Sequence, residues 1–316
     1  VTLEIKQFAP VLIPTLNRHN HFIGCVESLA QCKYADKTEL YVALDYPLKV
    51  EHWEGYNIIN NYLPLIKGFK KVHIIRRKEN LGPNRNLLDA ISVLFEKHDS
   101  QIISEDDNLF SIDFLSFVNL GLGVYAERAD IFSISGYQYP IHMPSFYNQE
   151  IYVWTGFSAW GVGIWRDKWV NIDWNTENAL TSIRMFLKRY NNINQLNKIA
   201  NHYIPALIHM VRINKLHGDG YISMCLFTKN MYSIFPKVSR VKNLGHDGSG
   251  INCRILNKDI YKEQDIYRGH GRYKLHFDIK SNNEINLILK EHFKLSSKSL
   301  IKTVFKLLLL NIRKAT

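Results

Sequence analysis

The sequence predicts an α/β fold, a mostly parallel sheet flanked by helices, with a helical appendage at the carboxyl end. Three observations carry this. Short apolar runs alternate with longer amphipathic stretches through the first half of the chain, the pattern of strands joined by right-handed helical crossovers. The runs end in polar or acidic residues, as expected where parallel strands open onto a cleft at their carboxyl ends. From residue 284 onward lysine recurs every fourth position beside apolar residues, which is helical spacing.

In chain order, FAPVLIPTL at 8–16 reads as a buried strand, followed by a helical pattern over 19–32. ELYVALD at 39–45 is a second strand with a helix over 52–66, and KVHIIR at 71–76 a third, leading into a helix within 80–98. QIIS at 101–104 is a fourth strand and runs straight into Glu105, Asp106 and Asp107. Residues 113–140 add a helix and a strand. From Ile141 to Trp174 aromatics and glycines dominate, with Trp154, Phe157, Trp160, Trp165, Trp169 and Trp174 in one stretch. A second helical region covers 181–216, followed by HGDGYIS at 217–223 and the glycine-rich NLGHDGSG at 243–250. No repeat or low-complexity linker divides the chain, so residues 1–255 form one domain of catalytic size and 256–316 the appendage.

Composition sets the boundaries of function. With 316 residues, 46% hydrophobic and 22% charged, the chain can bury a substantial core, which excludes disorder as its main state. No run reaches the roughly 18 apolar residues of a membrane span, and VTLEIKQFAP lacks the pattern of a signal peptide. The expected location is the cytoplasm. Cys25, Cys32, Cys225 and Cys253 are scattered without a CxxC pair, so reduced structural thiols are expected.

A net charge of +11 admits nucleic acid, an anionic membrane surface or a phosphorylated substrate as partner. Residues 284–314 hold seven basic and two acidic side chains, close to half of that excess, with Lys290, Lys294, Lys298, Lys302 and Lys306 in one stripe. Such a helix either packs on protein or lies peripherally on an anionic surface at the inner face of a membrane. Charge concentrated in the tail, with no recognition motif, argues against nucleic acid.

The acidic triplet is the strongest chemical signal. Three adjacent acids at a strand end repel one another unless a cation is near, and a divalent metal would supply one. The alternative is helix capping, by Asp107 or Ser111, of the helix around Phe114. Asn17 and Arg18 follow the first strand, Asp45 the second, and NLGPNRN at 80–86 the third, so all come to the same edge of the sheet. There a carboxylate can accept from a base N–H and an arginine can meet a phosphate. The 80–86 segment is either an ordinary turn or a helix start whose polar side chains, Asn84 and Arg85 among them, aim into the same cleft.

In this order the strand ends resemble a glycosyltransferase of the GT-A (Rossmann-like) fold. EDD with the DFL that follows is similar to the inverting N-acetylglucosaminyltransferase I type, and NLGHDGSG to a closing segment of bacterial sugar transferases. The resemblance covers about 8–255. It implies transfer from a UDP-sugar to a glycan or lipid-linked glycan with inversion, in bacterial surface polysaccharide or glycoprotein glycan synthesis. It makes Asp107 the ligand of Mn²⁺ or Mg²⁺, with Asp106 toward the sugar or ribose and Glu105 beside it. Arg18 and Asp45 would hold the uridine, and Asn84 and Arg85 line the donor site. Asp219 matches the catalytic base; Gly218 stands where the family has an acid, and Asp173 and Asp247 remain alternatives. His246 either touches the diphosphate or metal or caps a turn, and the tryptophans either stack on sugar rings or fill the core. A sugar nucleotidyltransferase is disfavoured because LIPTLNRHN has no glycine. Independently of any resemblance, a diphosphate leaving group calls for a cation and an acceptor hydroxyl for a carboxylate base.

Overall fold

The computed structural model describes residues 5–250, 259–269 and 274–312. Successive side chains of a strand point to opposite faces of its sheet, and the first two strands bury both faces. In β1 (Val11–Thr15), Val11 and Ile13 enter one core and Leu12 the other; in β2 (Glu39–Leu44), Leu40, Val42 and Leu44 share the first core and Tyr41 and Ala43 the second. Continuous apolar runs of this kind belong to parallel strands covered by helices on both sides.

Between β1 and β2 lies α1 (His19–Ala30), and α2 (His52–Tyr62) leads to β3 (Lys71–Arg76). Next come α3 (Gly82–Phe95), β4 (Ser100–Ile103), β5 (Asn108–Phe110), α4 (Phe114–Val124) and β6 (Ile131–Ser135). Then follow β7 (Ile151–Trp154), β8 (Val162–Trp165), the short α5 (Arg166–Trp169), α6 (Thr176–Lys188), α7 (Tyr190–Ala200), α8 (Tyr203–Ile213) and α9 (Gly218–Thr228). The chain closes with β9 (Tyr232–Pro236), β10 (Val241–Asn243), α10 (Asn283–His292) and α11 (Ser297–Ile312).

Eight strands form one sheet in the order β3-β2-β1-β4-β8-β6-β9-β7, all running the same way except β7 and β8. Helices α1, α2 and α4 bury their apolar faces against one side of this mostly parallel sheet. On the other side lie α3 and α6 to α10. The α/β class and the first four strands are as expected. The aromatic stretch 141–174, to which the sequence assigns no element, contains β7 and β8, whose IYVW and VGIW are buried throughout and therefore show no alternation. Asp219 stands in the first turn of α9. Cys253 lies outside the described residues; the other three cysteines are buried and free.

The carboxyl-terminal segment shares the main core. Asn282 caps α10 by accepting from the N–H groups of Glu284 and Ile285. Ile285 and Leu289 are fully buried among residues of α6 to α9, and the Phe293 ring stacks on Trp154 with centroids 5.6 Å apart. Among the described residues, no helix is long and apolar enough to cross a membrane.

One close approach ties the fold to the loop carrying Arg18. Gly55 in α2 lies directly on the backbone of Asn17, and a Cβ there would collide with the Asn17 carbonyl. Gly123 near the end of α4 is exposed, with open space where its Cβ would be. Gly55→Ala is therefore expected to lower stability by about 1–3 kcal/mol, as overpacking does. Gly123→Ala should raise it by about 0.4–1 kcal/mol by restricting the unfolded chain. Urea unfolding midpoints check both, and equal effects would contradict the packing described.

Candidate active site

Because β1 and β4 are parallel neighbours, with Leu12 opposite Ile103, the loops after them emerge side by side. Thr15 at the end of β1 donates its hydroxyl to Asp106 Oδ2 at 2.8 Å. Arg18 forks across two acids: Nη1 donates to Asp107 Oδ2 at 2.7 Å, and Nη2 pairs closely with Asp106 Oδ1. Burial alone would work against the charge of Arg18, but these carboxylates outweigh it and hold the guanidinium above its usual range. Burial pushes Asp106 above the ordinary carboxylate range in spite of Arg18.

The other oxygen of Asp107 accepts from Asn243 Nδ2 at 2.6 Å. Asn243 ends β10, which pairs antiparallel with β5 in a short ribbon. Leu244 N–H donates to the Asp107 carbonyl at 2.8 Å, and Gly245 N–H to Asn243 Oδ1 at 2.9 Å. A Cβ on Gly245 would run into the Asp107 carboxylate. The opening of NLGHDGSG is thus a clasp closed around Asp107, which is almost completely buried.

Among the described residues, none forms an ion pair with Glu105. Its Oε2 accepts from the Trp160 indole N–H at 3.2 Å. Burial, then the charges of Asp107 and Asp219, push its carboxyl up to about 8. Asp219 reaches the same cleft from α9 and accepts from the Ala159 N–H at 3.4 Å. Its side chain opens to solvent at the mouth, yet the protein packed around the carboxyl raises it to about 6. Adjacent residues thus hold the two acids, Ala159 contacting Asp219 and Trp160 contacting Glu105.

The remaining candidate residues divide. Asp45 is buried, and its carboxylate accepts from three backbone N–H groups, those of Tyr46, Leu81 and Gly82, each at 2.9 Å. It holds the entry to α3. Asn84 donates to the Leu216 carbonyl at 2.8 Å and so fastens α3 to the loop before α9, while Arg85 is exposed. His246 stacks on Tyr261 at 4.4 Å and meets Trp160 edge-on at 5.9 Å, with Nδ1 buried and without a hydrogen-bond partner among the described residues. Trp160 also packs edge-on against Tyr137 at 4.7 Å, which completes an aromatic wall beside the acids. Of the other tryptophans, Trp154, Trp165 and Trp169 are core residues and Trp174 stacks on Trp169.

The alternative bases are occupied elsewhere. Asp173 accepts from Asn175 N–H and Asn178 Nδ2 at the start of α6. Asp247 has slight burial working to raise it, but hydrogen bonds from Ser249, with His21 nearby, hold it below the usual range. Sequence reasoning missed Thr15 and Asn243 as partners of the triplet. Asn243 opens a motif already singled out, and a glycine two residues on was a signal of close approach; a threonine ending a strand carries no signal. Among the described residues no group of three or more His, Cys, Asp or Glu is placed to hold a metal on its own.

No family model and no curated protein matches the chain. Among solved structures, it is similar to the mannosyltransferase PcManGT of Pyrobaculum calidifontis in complex with GDP-Man and Mn²⁺, at 16% identity and a TM-score of 0.38, over 53% of this chain and 47% of that one. It is also similar to TarS of S. aureus, at 12% identity and a TM-score of 0.33, over 49% of this chain and 28% of that one. A shorter form, TarS 1-349, gives 13% identity and a TM-score of 0.34, over 50% and 47%. The chain spans less than half the length of each.

The raised carboxyl of Glu105 has a consequence for stability. The folded state holds its proton from the ordinary value of 4.5 up to about 8, so this contribution is complete below 4.5 and is lost as pH rises through 8. In metal-free protein, urea midpoints should fall from pH 5 to pH 9, and Glu105→Gln should flatten that fall. An unchanged slope in the variant would contradict the burial of Glu105 among acids.

Proposed function

We propose that the protein is a GT-A-type glycosyltransferase that moves a sugar from a nucleotide diphosphate to a hydroxyl acceptor with inversion. The observation that carries this reading is the gathering of Glu105, Asp106, Asp107 and Asp219 at the carboxyl edge of a parallel sheet, with Arg18 as the cation paired among them. Among the described residues Arg18 is the one cation paired with these acids, and the excess of carboxylates suits a divalent ion arriving with a diphosphate.

Both Asp107 oxygens are engaged, by Arg18 and Asn243, so an ion would share them through their remaining lone pairs. Mg²⁺ and similar hard cations commonly take one or two carboxylates together with substrate phosphates, so a three-residue cage is not required. Asp107 is the proposed ligand, with Arg18 releasing or sharing Oδ2. Mn²⁺ or Mg²⁺ held there supplies charge neutralisation on the departing diphosphate. Arg18 and Asn243 orient Asp107 from either side. Asp45 acts on the nucleotide indirectly, by fixing residues 46, 81 and 82 as the wall of the base pocket. The resemblance of the strand ends implies a UDP-sugar as the donor and a glycan or lipid-linked glycan as the acceptor. Trp160 offers its ring as a stacking face for a sugar.

Asp219 is the base. A carboxyl at about 6 is ionised at neutral pH and still takes a proton more readily than an ordinary aspartate. The Ala159 N–H holds one of its oxygens, leaving the other to accept the proton of the acceptor hydroxyl.

Thermal unfolding with UDP, GDP, CDP or dTDP, each with and without Mn²⁺, tests the donor class. A ligand at 100 times its Kd stabilises by about 2.7 kcal/mol, and UDP with Mn²⁺ is expected to give the largest rise. No response to any of the four with metal would overturn the reading. Asp219→Asn should retain that response while lowering turnover by roughly 10²–10⁴. The wild-type rate should fall as pH drops through about 6, where the base takes up its proton. A loss of less than tenfold in the variant would remove Asp219 from the role.

A further inference from the structure

Helix α11 presents three faces. Thr303 is buried and Leu307 partly buried against the domain core, on the side where α11 meets α8. At 3.6 residues per turn, Leu300, Val304 and Leu308 form the adjoining row, and Ile301 and Phe305 the row after it. All five are open, from 44% exposed at Leu300 to 70% at Ile301. Beyond them on the same helix run Lys298, Lys302 and Lys306.

Packing on the domain, one of the two roles open to an amphipathic tail, accounts for the Thr303 and Leu307 face alone. A contiguous apolar patch left open beside it marks an interaction surface. We propose that this face of α11 seats the protein on an anionic lipid surface. The charge pattern selects this partner. From residue 292 to 316 the sequence has no acid, while lysines stand at 294, 298, 302 and 306. A second copy of the chain, meeting the face about a two-fold axis, would set lysine rows beside one another with no acid on the helix to pair them. Lipid takes both components: the five apolar side chains enter the headgroup boundary, and the lysine stems reach back to phosphates. The helix has 16 residues, short of the roughly 20 a span requires, so it lies in the plane of the surface. This inference does not depend on the reaction catalysed in the cleft.

Co-sedimentation of the full chain with vesicles tests it. Binding is expected to vesicles containing phosphatidylglycerol, to be negligible with phosphatidylcholine alone, and to weaken as salt is raised. Ile301→Glu with Phe305→Glu should abolish binding. The milder pair Lys298→Gln with Lys302→Gln, which keeps the apolar face, should weaken it roughly 30-fold, from about fivefold per lysine near an anionic surface. Unchanged thermal midpoints in the lysine pair establish that the fold is intact. Equal binding to both vesicle types, or wild-type binding by either variant, would overturn the proposal. So would a lack of vesicle binding together with a dimer that Ile301→Glu and Phe305→Glu convert to monomer, which would assign the face to a second copy.

Discussion

Carboxylates crowded at the end of a buried strand repel one another, and the architecture of the cleft follows from how that repulsion is met. At an effective dielectric near 20, two like charges about 4 Å apart cost about 4 kcal/mol, so the acids need partners from several elements at once. Arg18 and Thr15 come from the end of β1, Asn243 from the end of β10, and Trp160 from the loop before β8. One guanidinium is not enough. Glu105 meets the remaining excess by keeping its proton to about 8.

The fold makes these meetings possible at small cost in chain. Parallel pairing of β1 with β4 sets residues 15–18 beside 104–107 without a long loop. The β5–β10 ribbon then brings a distant glycine-rich segment onto the same acids, and Gly245 is small enough to let its backbone close over Asp107. On the far side of the cleft, Asp45 fixes the start of α3 and Asn84 ties α3 to the loop preceding α9. The position of Asp219 is thereby linked to the strand ends through hydrogen bonds between the Asp45 and Asn84 side chains and the backbone.

Much of this was legible in the sequence. The first four strands and the residues that end them were marked by apolar runs stopping at Arg18, Asp45 and the acidic triplet. The ribbon was not, because three-residue strands are too short to show a period. Nor was the pairing of Arg18 with the triplet, since 88 and 89 residues separate the partners and nothing local signals the contact. Asp45 looked like a free carboxylate and proves to be bound by backbone. The sequence favoured Asp219 over Asp173 and Asp247 only by its resemblance to the family's base position, and their surroundings separate a capping residue, a raised carboxyl and a lowered one. In the tail, spacing announced amphipathic helices without saying which face is covered: Ile285 and Leu289 are buried, and Ile301 and Phe305 are open.

The central claim is that the acids are gathered for a divalent ion that enters with a nucleotide diphosphate, with Asp107 as its anchor. Electron paramagnetic resonance of Mn²⁺ with UDP present measures this directly in the wild type, in Asp107→Asn and in Asp173→Asn as a comparison. The account predicts that bound Mn²⁺ is lost in Asp107→Asn, an isosteric change that still fills the space between Arg18 and Asn243, and is retained in Asp173→Asn. Mn²⁺ bound by Asp107→Asn with wild-type affinity would contradict it.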